Sequence, residues 1–472
     1  MGDMSVDVAI VGAGTAGLAA LREVRRRTDN FVIINEEPYG TTCARVGCMP
    51  SKALIAAANA LHATHRLPEF GITGAADARA DIPQILRRVR TLRDHFVEGV
   101  LKSTADLGER NIAGRAVLDG QGHVTVGGRR IAAKRIILAP GSSPVVPKPW
   151  QALGKRILTS DTLFEQEDLP ARMGVIGLGA IGVEIAQALS RLGVEVHAFD
   201  AGASVAGVKD KDVAEALQAR LRKEFTIHLG AEVELSETDK GIQLSWDRRS
   251  TIVDAIVVAI GRKPNVAGLG LETLGVVLDD HGMPPVDANT MRIGDTNVYL
   301  AGDGNGDRPL LHEAADEGHI AGINATSDEP VSLERRTPMG VVFCNPEVAT
   351  IGKALEELDP ESTLVGSVSY ERQGRARIMQ ENYGMLRVYA DKQDGRILGA
   401  AMAAPAAEHL AHLLALAIGQ KLTVNDLLRM PFYHPTLEEG FRSALRDIAR
   451  ELPPCGISDL AGCGDFQAEA LQ

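Results

Sequence analysis

Cysteine is scarce in this sequence, with only five among 472 residues. Small secreted proteins that rely on a disulfide framework use cysteine far more densely, so this class of protein is excluded. Basic residues are also in the minority, since 50 Lys and Arg face 62 Asp and Glu. The resulting net charge of −12 argues against a nucleic-acid partner.

Long apolar runs and a basic N-terminal segment are missing as well. No uninterrupted apolar stretch approaches the roughly 20 residues that a membrane-spanning helix needs. Residues 1–7 lack the positively charged start of a secretory signal. We therefore expect a cytoplasmic protein with no membrane partner. In such a reducing compartment a close cysteine pair is more often catalytic than structural.

The composition is otherwise that of a globular protein, with 45% apolar and 24% charged residues. The length allows two or three domains. We predict no metal site.

A glycine motif follows the first predicted strand. Residues 6–11 are apolar enough for a buried strand of a parallel sheet, and an amphipathic stretch follows them. Between the two stand Gly12, Gly14 and Gly17, which form G-x-G-x-x-G. This motif lets backbone N–H groups approach a dinucleotide pyrophosphate at a helix N-terminus. Taken alone, it is also compatible with an ordinary strand–helix turn.

A second motif of the same kind, Gly177, Gly179 and Gly182, follows a predicted strand at 173–176. The next predicted strand ends at Asp200, at about the 20-residue spacing expected for a ribose-binding acid. A carboxylate there accepts hydrogen bonds from a ribose 2′-hydroxyl and repels a 2′-phosphate. Because no arginine follows within the next dozen residues, we predict NAD rather than NADP at this motif.

Two of the cysteines, Cys43 and Cys48, lie close together in the sequence. Pro50 suits the first turn of a helix, and the Ala- and Leu-rich run after it is strongly helix-forming. Cys48 is thus predicted to lie just before a helix N-terminus, which favours a thiolate. Gly47 allows the close turn that brings the two sulfurs together. The pair alone is also compatible with a structural disulfide or with two free core thiols.

In this order, the motifs resemble those of the class I flavin-dependent pyridine nucleotide–disulfide oxidoreductases, from residue 8 to about residue 445. The resemblance implies that Cys43 and Cys48 form a redox-active disulfide. It implies that the first glycine motif binds FAD and the second binds NAD. The ending Ser51-Lys52 is more similar to dihydrolipoyl dehydrogenases than to glutathione reductases.

The same resemblance implies further site residues. Lys52 is expected to pair with Glu184, so that a charged lysine lies beside the flavin. Asp303 is expected to bind the ribityl chain of the flavin. Three other positions are expected at the cofactors: Thr42, Gly141, where the family's usual Ala-Thr-Gly is replaced by Ala-Pro-Gly, and Gly261.

The ribose of FAD is expected to contact a glutamate at the end of the second strand. This sequence departs from that pattern, since Asn35 stands there with Glu36 beside it. Glu36 is a candidate for the ribose contact, and the sequence does not decide between it and Asn35.

A proton-transfer pair is implied near the end of the chain. Residues 434–439 are similar to the family's His-Pro-Thr-x-x-Glu. Histidine is suited to moving protons near neutral pH, and a carboxylate such as Glu439 orients its imidazole. In the family His434 serves the partner subunit's site, which implies a homodimer. Two further cysteines in the tail, Cys455 and Cys463, are either a second redox pair that shuttles electrons or incidental thiols.

The predicted fold is α/β, with two nested doubly wound nucleotide-binding domains and a C-terminal α+β dimerisation domain. In the last of these, residues 341–344 are predicted to form a strand in which Cys344 is a small core residue. The predicted boundaries are 1–150 and 266–337 for the FAD-binding domain, 151–265 for the NAD-binding domain, 338–450 for the dimerisation domain and 451–472 for the tail.

The implied activity is that of a dihydrolipoyl dehydrogenase, which moves electrons between a lipoyl group, the disulfide, FAD and NAD. The lipoyl group is expected on a carrier protein or as free lipoamide. The alternatives are a glutathione-reductase-like or mercuric-reductase-like enzyme, and a flavin redox sensor without turnover. The His434–Glu439 pair argues against the sensor, because a sensor needs no proton-transfer pair.

Overall fold

The computed structural model describes residues 4–75 and 77–453. The tail cysteines Cys455 and Cys463 lie outside the described residues. The α-helices of the described part are Thr15–Val24, Thr42–Arg45, Cys48–Arg66, Ile82–Ala105, Lys148–Gln151, Ser160–Leu163, Ala180–Arg191, Lys211–Leu221, Leu311–Asn324, Gly374–Ile378, Ala407–Gly419, Val424–Leu428 and Glu438–Ala449.

The first sheet is parallel at its centre. Its parallel strands lie in the order Asn111–Ala113, Phe31–Asn35, Met4–Val11, Arg129–Leu138 and Val298–Leu300. Two antiparallel strands, His123–Val126 and Ala116–Leu118, extend it from the first half of Arg129–Leu138. Val8, Ala9 and Ile10 are almost fully buried, as expected for a central strand covered on both faces.

The second sheet is entirely parallel. Its order is Thr226–Leu229, Glu195–Asp200, Arg172–Ile176, Ala255–Val258 and Ile157–Leu158. A separate antiparallel meander is formed by Glu234–Thr238, Gly241–Trp246 and Arg249–Val253. Ser142–Pro144 pairs with Arg262–Pro264, so the chain enters and leaves this unit through one antiparallel pair of short strands.

The third large sheet is antiparallel. Its order is Met339–Val342, Glu347–Gly352, Ile397–Ala404, Met385–Asp391 and Thr363–Ser369. Helices Ala407–Gly419 and Glu438–Ala449 pack on this sheet through a core that includes Phe441 and Leu445. This unit has the α+β organisation expected from the sequence.

The fold class predicted from the sequence is confirmed, while the domain boundaries stay predictions. Two local predictions were wrong. The strand expected over 341–344 ends at Val342, so Cys344 lies beyond it, although it is buried as predicted. Cys48 is the first residue of its helix and does not precede it, because Gly47 takes the N-cap position.

Among the described residues, no helix combines the length and the apolar character that crossing a membrane requires.

Candidate active site

Two consecutive helices bring the cysteine pair together. Cys43 lies in the short helix Thr42–Arg45, and Cys48 begins the long helix Cys48–Arg66. The Thr41 side chain caps the short helix by accepting a hydrogen bond from the Ala44 N–H at 3.1 Å. A Cβ atom on Gly47 would lie 3.0 Å from the carbonyl oxygen of Thr42, so a side chain there would require the neighbouring backbone to shift. Both cysteines are free thiols here.

The two thiols differ in acidity. A hydrogen bond from the Cys43 thiol, aided by the charge of Lys52, lowers the pKa of Cys48 to about 7, although burial opposes this. The same hydrogen bond and burial raise the pKa of Cys43 far above that of an ordinary thiol. In the reduced pair, ionisation of Cys48 is therefore favoured over ionisation of Cys43.

Lys52 lies one turn along the same helix and pairs with Glu184. Its Nζ donates to both carboxylate oxygens of Glu184, at 3.0 and 2.8 Å. Glu184 is buried on helix Ala180–Arg191, and its Oε1 also accepts the N–H of Phe343 at 2.8 Å. The structure thus brings together the lysine and glutamate that were paired from the sequence.

The first glycine loop (residues 12–17) has the shape that a dinucleotide needs. Gly12 has φ +102°, and a Cβ there would lie 2.1 Å from the carbonyl oxygen of Ala139. A Cβ on Gly17 would lie 1.9 Å from the carbonyl oxygen of Gly12. Gly14 faces open space and begins helix Thr15–Val24 with no side-chain cap. The N-terminal N–H groups of that helix are therefore available to a pyrophosphate.

The second glycine loop (residues 177–182) repeats this arrangement. Gly177 has φ +91°, and its Cβ would lie 2.4 Å from the carbonyl oxygen of Ala259. A Cβ on Gly182 would lie 1.8 Å from the carbonyl oxygen of Gly177. Gly179 faces open space at the uncapped start of helix Ala180–Arg191. The described residues therefore fit two nucleotide cofactors, one at each loop.

In each of the first two sheets, one strand lies beside the strand that leads into the glycine loop. The last residue of that neighbouring strand contacts the loop, and the two contacts are alike. Asp200 Oδ2 accepts the N–H of Leu178 at 2.6 Å, and Asn35 Oδ1 accepts the N–H of Ala13 at 2.8 Å. Leu178 and Ala13 occupy the same place in the two motifs. Asn35 is therefore the structural counterpart of Asp200, whereas Glu36, the other candidate for the ribose contact, is exposed beside it.

Asp303 lies in a hydrogen-bonded chain that the sequence did not reveal. The Ser142 hydroxyl donates to Asp303 Oδ2 at 2.7 Å and accepts from Arg262 Nε at 2.8 Å. Gly141 and Gly261, each with a positive φ, directly precede Ser142 and Arg262. Only the two glycines were predicted as site residues. The polar residue that directly follows each of them was the sequence feature that could have indicated this hydrogen-bonded chain.

Glu317 is a second residue that the sequence reading missed. It is fully buried, and its Oε2 accepts the N–H of Gly302 at 2.7 Å and the side chain of Asn305 at 2.7 Å. Burial raises its pKa to about 7, although Arg335 pairs with it at 2.8 Å. Glu317 thereby supports the turn that carries Asp303.

His434 and Glu439 form the predicted pair on the third unit. His434 Nδ1 lies 3.1 Å from each carboxylate oxygen of Glu439. Glu439 is buried and also accepts from the Thr436 N–H at 3.1 Å and from Arg442 at 3.2 Å, so its carboxylate is held in place. His434 is about half exposed. Within the described part of this chain, no hydrogen bond or ion pair joins it to the cysteine pair.

Thr42 is exposed at the first residue of the short cysteine helix. Its predicted contact with a cofactor stays a prediction.

Comparisons with known proteins agree with this geometry. The family model for pyridine nucleotide-disulphide oxidoreductases matches residues 6–318, and the model for the dimerisation domain of that family matches residues 339–445. The chain is 31% identical over 444 residues to a dihydrolipoyl dehydrogenase of Chlamydia pneumoniae, covering 92% of this chain and 95% of that relative. It is 30% identical over 462 residues to the mitochondrial dihydrolipoyl dehydrogenase of Homo sapiens, covering 93% and 90%.

Solved structures share the fold. LpdA of Mycobacterium tuberculosis superposes with a TM-score of 0.81 at 26% identity and covers 93% of this chain and 99% of its own. The flavoprotein disulfide reductase RclA of Escherichia coli superposes with a TM-score of 0.82 at 23% identity, covering 94% and 99%, which shows likeness of fold alone. The cofactors of the family, FAD and NAD, are those predicted from the sequence. This chain therefore belongs to the pyridine nucleotide-disulphide oxidoreductase family.

Proposed function

We propose that the protein is an NAD-dependent dihydrolipoyl dehydrogenase that works as a homodimer in the cytoplasm. The observation that carries the proposal is the cysteine pair on two consecutive helices, with Lys52 one turn after Cys48 and bound to the buried Glu184. The resemblance to dihydrolipoyl dehydrogenases over nine-tenths of the chain supports the lipoyl group as substrate.

The proton-transfer step belongs to His434 and Glu439. In the proposed homodimer, His434 of one subunit serves the cysteine pair of the other. Its imidazole accepts the proton of a dihydrolipoyl thiol, and the buried Glu439 carboxylate stabilises the resulting positive charge.

The next step is a thiol–disulfide exchange between the substrate and the cysteine pair. The substrate thiolate attacks Cys43 of the Cys43–Cys48 disulfide, forming a mixed disulfide and releasing Cys48 as a thiolate. The second substrate thiol then attacks the mixed disulfide, closes the lipoyl ring and releases Cys43, whose sulfur takes the proton of that thiol. The substrate thus loses two electrons and two protons. The cysteine pair gains the two electrons, one proton is on Cys43 and the other is on His434. Lys52 and the helix N-terminus stabilise the negative charge on Cys48.

The cofactor contacts follow from the two glycine loops. FAD held at the first loop would supply the two-electron redox chemistry that connects the cysteine pair with NAD+ at the second loop. The first glycine loop and Asn35 would hold the adenosine half of FAD, and Asp303 would hold its ribityl chain. The second glycine loop and Asp200 would hold NAD, because the carboxylate favours a free 2′-hydroxyl.

Substrate comparison tests the proposal. Purified holoenzyme should reduce lipoamide with NADH at a kcat/KM at least ten times that for glutathione disulfide or Hg(II). Cys48→Ser should abolish lipoamide reduction and retain bound FAD. If glutathione disulfide or Hg(II) is turned over faster than lipoamide, the proposed lipoyl substrate is wrong and that compound takes its place. The type of reaction proposed for the family would still stand.

A further inference from the structure

A short segment of the C-terminal unit lies against the Lys52–Glu184 pair. Residues 343–345 follow strand Met339–Val342, and three of their backbone groups are bound by two side chains of helix Ala180–Arg191. Glu184 accepts the Phe343 N–H at 2.8 Å. Gln187 accepts the Asn345 N–H at 2.7 Å and donates to the Asn345 carbonyl oxygen at 2.8 Å.

The spacing of the two side chains explains this fit. Glu184 and Gln187 are three residues apart, so they project from the same face of the helix. Gln187 is 3% exposed, so its amide needs hydrogen-bond partners, and the Asn345 backbone provides them. The segment is therefore held at both ends. Tyr383 adds a third contact, since its hydroxyl donates to Asn345 Oδ1 at 2.6 Å.

The segment in turn bounds the lysine. The Phe343 ring lies with its centre 4.5 Å from Lys52 Nζ, within the distance of a cation–π contact. Glu184 Oε1 is shared between Lys52 and the backbone of Phe343. The ammonium group is thus fixed by a carboxylate and by an aromatic face, both of which depend on where the segment lies.

We propose that Phe343 and Gln187 are positioning residues that hold Lys52 at the cysteine pair and thereby set the ionisation of Cys48. The charged side chains that act on Cys48 are Lys52, which favours the thiolate, and Glu184, which opposes it. A lysine that swings away from its aromatic contact leaves the thiolate less stabilised. Through this segment the C-terminal unit acts on the reacting sulfur without touching it. The inference rests on the roles proposed for Lys52 and Cys48, and it does not depend on which disulfide is the substrate.

Alkylation of the reduced holoenzyme by iodoacetamide across a pH range tests the inference, with mass spectrometry reading Cys48 separately from Cys43. Wild-type Cys48 should react with a midpoint near pH 7. Phe343→Leu should move the midpoint up, though by less than Lys52→Met does, because the ring only positions the ammonium group and the ion pair with Glu184 remains. Phe343→Tyr, which keeps the ring, should behave as wild type. Lys52→Met should give the largest upward shift.

Gln187 is tested separately. Gln187→Leu should shift the Cys48 midpoint in the same direction as Phe343→Leu. Gln218→Leu is the matched control, because the Gln218 side chain donates to the Ala203 carbonyl oxygen in a solvent-exposed hydrogen bond of the same unit, and it should leave the midpoint unchanged. Thermal unfolding and FAD content identify any variant that fails to fold; should Gln187→Leu fail, the Phe343 series decides alone.

Two results would overturn the inference. One is a Cys48 midpoint that stays at the wild-type value in Phe343→Leu but is shifted in Lys52→Met. This result would show that the Phe343 ring does not influence the effect of Lys52 on Cys48. The other is an unshifted midpoint in Lys52→Met, which would remove Lys52 from the ionisation of Cys48. Neither result requires disulfide turnover, so a failure here is distinguishable from a failure of the lipoamide assay.

Discussion

The two glycine loops have nearly the same backbone and differ in the side chain that closes them. In each loop the first glycine has a positive φ, and its Cβ would collide with a carbonyl oxygen of a neighbouring strand–loop junction, at Ala139 in one and Ala259 in the other. In each, the middle glycine faces open space at an uncapped helix start. The backbone thus provides a generic pyrophosphate site twice.

The difference lies at Asn35 and Asp200. The amide of Asn35 binds the Ala13 N–H and donates to the Glu36 carbonyl oxygen at 2.7 Å. The carboxylate of Asp200 accepts from Leu178 and from the Gly202 N–H at 2.7 Å, so it presents a negative charge. We therefore expect discrimination between nucleotides to depend on this one side chain and the binding of phosphates to depend on the shared backbone.

The largest expected effect comes from the first glycine of each loop. Gly12→Ala and Gly177→Ala should each lower the free energy of unfolding of their unit by about 3 kcal/mol or more, since backbone strain adds to the collision. Gly12→Ala should lose bound FAD, while Gly177→Ala should keep FAD and lose NADH binding. Thermal unfolding, FAD absorbance and NADH titration measure these outcomes.

Gly193→Ala is the matched control for that pair. Gly193 has φ +94°, and nothing lies within 4 Å of its added Cβ. It should lose only the ~1 kcal/mol that a left-handed conformation costs. Equal losses in all three variants would show that the collisions with Ala139 and Ala259 carry no weight.

The middle glycines should separate binding from stability. Gly14→Ala and Gly179→Ala place a methyl group in open space with an ordinary φ, so stability should change by less than ~0.5 kcal/mol. The methyl group would stand where the pyrophosphate approaches, and affinity for FAD or NADH, respectively, should fall about tenfold, or ~1.4 kcal/mol. Titration of apoprotein with FAD and of holoenzyme with NADH measures this, and unchanged affinity would contradict it.

The backbone of both glycine loops was predictable because it depends on local sequence. Strand, glycine spacing and helix are adjacent along the chain, so the motif at 12–17 predicts its own backbone. The second loop was equally readable, and so was Asp200 at the end of its strand. The pairing of Lys52 with Glu184 was also correct, although only the family resemblance connected residues so far apart in sequence.

What the sequence could not predict depends on contacts between distant segments. Asn35 could be matched to Asp200 only through the hydrogen bonds that each makes to its loop, which no spacing reveals. The contact of Phe343 with Lys52 joins two units of the fold, and Phe343 lies just beyond a strand that was predicted to include it. Glu317 resembled any polar residue of a surface helix until burial and its bond to Gly302 became visible.

Exchanging the closing side chains should have an intermediate effect. Asp200→Asn removes the charge that repels a 2′-phosphate, so the ratio of kcat/KM for NADPH to that for NADH should rise about tenfold, or ~1.4 kcal/mol. Asn35→Asp should weaken FAD binding by about threefold, or ~0.7 kcal/mol, because the carboxylate cannot donate to the Glu36 carbonyl oxygen. Steady-state kinetics with one disulfide and FAD titration provide the two ratios. An unchanged coenzyme preference in Asp200→Asn would remove this side chain from nucleotide discrimination.

The smallest expected effect is at Glu36, beside the closing residue of the first loop. Its side chain is exposed, whereas Asn35 holds the loop directly. Glu36→Ala should therefore change FAD affinity by less than about twofold, or ~0.4 kcal/mol, while Asn35→Ala should weaken it by several fold, since it loses the bond to Ala13. Fluorescence titration of the two apoproteins with FAD makes the comparison. A tenfold loss in Glu36→Ala with little change in Asn35→Ala would move the ribose contact to Glu36 and break the equivalence of Asn35 with Asp200.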